Sequence, residues 1–196
     1  MIQIVRTVVR SVEAEFRRYK ALGEGAIDQL SDAELCAAGP AGESSLAVIV
    51  WHISGNLKSR FTDFLETDGE KSWRNRESEF EKRSVTLAEL RRKWEDGWNT
   101  LFGALETLSD AQLSEEVAIR GESFTVCEAL HRALAHISYH VGQMVSRAKA
   151  VRGDEWRYLS IPPGGSDAYN QNPTREHAPG SRAGRSKSKS QRERSA

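Results

Sequence analysis

Apolar residues recur every three or four positions through four long stretches of this chain, a helical period that leaves few ways to bury them. The first stretch, about residues 2–22, sets Ile4, Val8, Val12, Phe16 and Tyr19 on one stripe and is expected to end at the glycines of "GEG". A short piece ending at "LSDAEL" follows, where Ser31 and Glu34 have the spacing of a capping box. The second stretch, about 44–66, begins after the breaker "GPAGES", carries Leu46, Ile53, Leu57 and Phe64, and stops at "TDGEKSW". The third, about 86–108, carries Leu87, Leu90, Trp94, Leu101, Leu105 and Leu108, with Thr86 or Ser84 as cap. The fourth, about 125–151, opens on Thr125 with Glu128 three residues on and lines up Val126, Leu130, Ile137, Val141, Met144 and Ala148. Only "EEVAIRGESFTV" alternates with period two, so "VAIRGESFTV" predicts a small hairpin turned at Gly121 before the last helix. Four amphipathic helices, with connections mostly long enough to cross over, describe an all-α four-helix bundle.

A chain of 196 residues with 38% hydrophobic content fills one ordinary core and little more, which predicts a single bundle over residues 1–169. Residues 170–196 have almost nothing apolar to bury and read as a basic disordered tail. Seven Lys and Arg stand there against two Glu, so the tail carries +5 and the remainder −5. Such an end is a solvated terminus or, alternatively, a charge-only contact for nucleic acid. No early apolar run resembles a signal peptide, and nothing approaches the roughly 20 apolar residues of a membrane span. Cys36 and Cys127 stand far apart and outside any CxxC pattern, so neither a disulfide framework nor a thiolate zinc site is suggested. The expected compartment is the cytoplasm, without a membrane partner.

The fourth stretch also carries three of the five histidines. At about 100° per residue, His136 and His140 lie about 40° apart along one border of the apolar stripe, beside Ala129 and Ala133, and can share one ion. His131 falls near the opposite border. A further ligand must come from another helix, and His52 sits at the edge of the second stripe with Asn56, Ser59 and Asp63 following on its own side. Three neutral imidazoles would hold one face of a divalent ion and leave other positions open, as catalytic sites require. Zinc, nickel and ferrous iron all suit imidazole. The alternative is that each histidine satisfies a carbonyl or carboxylate at a core edge.

"WHISGN" on the second helix with "HISYHVGQ" on the fourth resembles the DinB-like superfamily of metalloenzymes, four-helix bundles that bind a divalent metal through three histidines. "GNLKSRFTDFLETDGEKSWRNRESEF", "WEDGWNTLFGALETL", "HVGQMV" and "YLSIPPGGS" are similar, in the same order, to an uncharacterised branch of it, over about residues 5–170. The resemblance implies ligands at His52, His136 and His140. His131 and His177 have no counterpart in it. It also implies a homodimer and a small-molecule substrate, since the superfamily includes transferases that use low-molecular-weight thiols, and a maleylpyruvate isomerase. A metal lowers the pKa of a thiol to yield a nucleophile at neutral pH, and a metal-bound water serves a hydrolase equally well. A low-molecular-weight thiol is therefore a candidate cosubstrate, and a metal-dependent hydrolase is the alternative. A third reading is a non-catalytic, metal-stabilised module for interaction or stress response.

Two further features bear on the site. In the loop "TDGEKSWRNRESEF", Lys71, Arg74 and Arg76 surround Trp73, and such cations can hold a carboxylate or phosphate near the metal. Glu70, Glu77, Glu79 and Glu81 interleave with them, and the other reading is a surface ion-pair network. Asn56, Ser59, Arg60, Asp63, Trp73, Arg74 and Arg76 are thus the expected pocket-lining residues, with no catalytic base singled out. Cys127 has His131 four residues on, the spacing of a nucleophile dyad, but lies half a turn away from His136 and reads as a structural thiol.

Overall fold

The computed structural model describes residues 7–174, and these fall into two compact units that divide between Ser160 and Ile161. The first holds four long helices. Helix α1 (Val8–Ile27) is capped by Thr7, whose hydroxyl accepts from the Arg10 amide. A short α2 (Asp32–Cys36) starts at the Ser31/Glu34 capping box. Helix α3 (Leu46–Phe61) follows, then α4 (Leu87–Thr107) behind a Thr86/Glu89 capping box. Strands β1 (Glu116–Ile119) and β2 (Glu122–Thr125) pair antiparallel, and Thr125 with Glu128 caps the long α5 (Val126–Arg152). Each box satisfies amide donors that a helix leaves unpaired at its start. In the second unit a short α6 (Ser166–Gln171) follows Gly165. The tail expected from residue 170 lies, from 175 onward, outside the described residues, as does His177.

Helix α3 packs along α4 and α1 along α5, while lesser α3–α5 and α1–α4 contacts complete the bundle. All six residues expected on the α5 stripe are buried, and the hairpin forms as expected, with Arg120 and Gly121 both at positive φ in its two-residue turn. Among the described residues no helix is long and apolar enough to cross a membrane.

Two helix boundaries differ from expectation. Helix α1 runs through "GEG" to Ile27, because Gly23 and Gly25 serve close packing: a Cβ on Gly23 would lie 2.5 Å from the Trp94 indole, and one on Gly25 2.5 Å from Leu159. On α1 the expected Val12 and Phe16 are buried and Tyr19 packs against the core, but at the start of the helix Val9 is buried in place of Val8, which is 44% exposed. Helix α3 ends at Phe61 instead of continuing to residue 66. Thr62 leaves the helical region and Asp63 takes φ +47°, while Ser59 and Arg60 both donate to the Gly69 carbonyl and fold the following loop back.

Candidate metal centre

Helices α3 and α5 bring His52, His136 and His140 together, with one ring nitrogen from each lying within 4.8 Å of the others. His52 is buried, and its Nε2 is 3.1 Å from Nε2 of His136. The three ring centroids stand 4.6 to 5.1 Å apart and no two rings stack, so nitrogens and not ring faces converge. Two nitrogens bound to one tetrahedral zinc at ~2.0–2.1 Å would sit roughly 3.3 Å apart, close to the spacing between His52 and His136.

Outer hydrogen bonds decide which nitrogens carry protons. Glu79 accepts from Nδ1 of His52 at 2.9 Å, and a carboxylate can only accept, so that Nδ1 bears the hydrogen and Nε2 keeps its lone pair. The Gln143 amide nitrogen donates to the Tyr139 hydroxyl, which turns its Oε1 to Nδ1 of His140 at 2.8 Å and fixes the same tautomer there. Imidazoles that donate through one nitrogen and offer the other are the usual arrangement in metal sites. Nδ1 of His136 is buried without a partner.

Glu79 is itself held by a fork, with Arg74 Nε and Nη2 donating to its two oxygens at 2.8 and 2.9 Å. Burial alone would raise the Glu79 pKa, yet the bonds from His52 and Arg74 hold it below the usual carboxylate range. Burial, with the neighbouring His140 and His52, pushes His136 down to about 3. Burial lowers His140 as well, and the Gln143 bond only partly offsets it. Both rings are therefore neutral near pH 7, the form that ligates metals. The donor set fits a divalent ion of the zinc, nickel or ferrous class.

His52 faces two cavities. One, of about 270 Å³, is walled by His52, His136, Asn56 and the hairpin residues Ala118 to Arg120. The other is a broader groove of about 900 Å³ between α3 and α5, walled by His52, His140, Tyr139 and Phe80. Of the residues expected to line a pocket, Asn56, Arg60, Arg74 and Arg76 lie in the wall of the smaller cavity. Ser59 is fully buried and spends its hydroxyl on Gly69. Asp63 lies past the end of α3, its carbonyl accepting from the Glu66 and Thr67 amides, and Trp73 is 57% exposed; neither is in that wall. Cys127 is partly buried, with Sγ 3.8 Å from Nδ1 of His131 and away from the three histidines.

A family model described as a protein of unknown function, DUF1572, matches residues 3–165. The chain belongs to that family. Searches of curated proteins and of solved structures each returned no match. The DUF1572 match thus covers all four long helices and both cavities, and leaves the described part of α6 outside it.

Glu79 entered the sequence reading only as one member of a surface ion-pair network, the alternative for this loop, whereas it is 6% exposed against His52. One signal for it was present. Gly55 interrupts a strong helix one turn after His52, and a Cβ there would lie 2.1 Å from Glu79 Oε1. In this DUF1572 chain the carboxylate occupies the space that a side chain at position 55 would need.

Proposed function

We propose that this chain is a DinB-like metalloenzyme in which His52, His136 and His140 hold one divalent ion, and that it transfers a low-molecular-weight thiol to a small electrophile. What carries the reading is that His52 and His140 each engage Nδ1 with an acceptor, leaving Nε2 available, while one ring nitrogen from each of the three histidines lies within 4.8 Å of the others between two cavities. A bound cation would supply Lewis acidity, lowering the pKa of a thiol so that its sulfur is nucleophilic at neutral pH.

The chain's own groups do the rest. Glu79, locked by Arg74, holds the His52 ring in place, and Gln143 does so for His140. Two chambers meeting at His52 suit two reactants better than one, which favours transfer over hydrolysis. The proposal extends to a cytoplasmic homodimer, on the strength of the resemblance for the dimer and of the sequence for the compartment.

The test is consumption of a thiol such as cysteine in the presence of an activated aryl halide, with metal-reconstituted and metal-stripped protein side by side. Turnover is expected only with metal, and is expected to disappear in His140→Ala. Equal turnover without metal overturns the mechanism.

A further inference from the structure

The smaller cavity is lined by five arginines, Arg60, Arg74, Arg76, Arg120 and Arg132, and among its described wall residues there is no Asp or Glu. They come from four separate places: α3, the loop after it, the hairpin turn and α5. Gathering five like charges around about 270 Å³ opposes folding unless something compensates them.

The compensation visible in the fold is incomplete. Arg60 and Arg120 share one carboxylate, with Glu70 Oε2 at 3.4 Å from the first and 2.9 Å from the second. Arg76 lies over the Phe80 ring at 4.8 Å, and its carboxylate partner among the described residues is Glu77, which is 85% exposed, at 3.1 Å; such a pair is weak in water. Arg132 has no carboxylate partner among the described residues and lies over the Phe124 ring at 5.5 Å. Arg74 gives Nε and Nη2 to Glu79, but its side chain is 2% exposed and its Nη1 is buried without any partner. A charged donor left unpaired in the interior is costly and calls for a water, an ion or a ligand to complete it. Burial lowers the Arg60 pKa first; Glu70 opposes the shift, but the charges of Arg74 and Arg120 add to it, so one carboxylate does not offset the crowding of cations.

The larger groove differs in its charge: its wall holds one arginine, Arg147, whose Nε is likewise buried without a partner, but Glu43 in the same wall faces that cation at 3.6 Å. The small cavity lies slightly below the usual span for ligand sites, ~300–1,000 Å³, so its occupant is a small molecule rather than a peptide or nucleic acid.

We propose that this cavity is an anion subsite, in which Arg74, Arg76, Arg120 and Arg132 hold a carboxylate or phosphoryl group of a small organic anion beside His52 and His136. Guanidinium forks suit planar and tetrahedral oxyanions alike, so both groups share the recognising chemistry. That the anion reacts at the histidines rests on the function proposed above; that it binds there does not.

Calorimetric titration of succinate and of methylphosphonate into the full chain, zinc-loaded and zinc-stripped, tests the subsite, with zinc per chain measured on the same samples. Arg132→Ala, an exposed residue with no carboxylate to orphan, should weaken binding on the order of 10-fold or more, the worth of one charge-assisted hydrogen bond. Arg132→Glu should abolish it, while Arg91→Ala, on the far pair with Asp28, should leave it unchanged. Preference for succinate or for methylphosphonate names the group. Zinc-loaded protein that binds neither anion, or binds them equally well as Arg132→Glu, overturns the subsite and leaves the metal centre standing. Arginine-dependent binding in protein that takes up no zinc supports the subsite and removes the metal mechanism instead.

Discussion

Replacing Gly55 by alanine sets two effects of opposite sign against each other. Alanine is the better helix former, and inside α3 it should add ~0.5–1 kcal/mol. Its Cβ, however, would stand 2.1 Å from Glu79 Oε1 and 2.7 Å from Cδ, where real Cβ atoms essentially never come within 3.0 Å. The carboxylate must withdraw, and with it go the bonds from Arg74 at 2.8 and 2.9 Å and from His52 at 2.9 Å. Arg74 and His52 are both buried, and breaking a buried charge pair costs ~3–5 kcal/mol. The clash therefore wins, with a net loss of ~2–4 kcal/mol. For a domain of this size that lowers Tm by about 5–15 °C, read by calorimetry on metal-free protein. His52 also loses the acceptor that orients it, so zinc affinity should fall by ~10–100-fold in a competition titration. A Gly55→Ala protein as stable as the parent and with unchanged zinc affinity would show that Glu79 does not stand behind His52.

Gly97→Ala should destabilise strongly, since its Cβ would meet the Ser54 backbone at 2.7 Å where α4 crosses α3, whereas Gly103→Ala in the same helix meets nothing within 4 Å and should gain ~0.5–1 kcal/mol in urea unfolding. Metal-free protein should lose stability as pH falls from about 6.5 toward 3. Over that window His136, held at about 3, and the likewise depressed His140 stay less protonated than in the unfolded chain. Glu79, depressed too, adds in the same direction below its ordinary value of 4.5. Each group contributes at most about 1.4 kcal/mol per pH unit, and a flat profile from pH 7 to 4 would contradict their burial.

The parts of the fold that periodicity governs could be read from the sequence, and the parts that long-range packing governs could not. The α5 stripe, its capping box and the Gly121 turn follow from local pattern, and each is present. "GEG" misleads because a glycine that ends a helix and one that admits an indole look alike in sequence, and only the position of Trp94 separates them. The end of α3 carries no stop residue; it is set by Ser59 and Arg60 reaching Gly69. Helical extrapolation to Asp63 fails for that reason. The three histidines stood out because two of them obey the i, i+4 rule and all are rare. Glu79 sits in a single 3₁₀ turn (Glu77–Phe80), too short to show a period, 27 residues from His52, and Arg120 and Arg132 join the cavity only once the hairpin and α5 are in place.

Metal content per chain of untagged protein, measured by elemental analysis beside His52→Ala, bears most directly on the account. About one equivalent of a divalent metal is expected in the parent, lost in the variant while the helical circular dichroism is kept. A parent chain that is empty and also takes up no added zinc, nickel or iron would contradict it, and the three histidines would then be packing residues only.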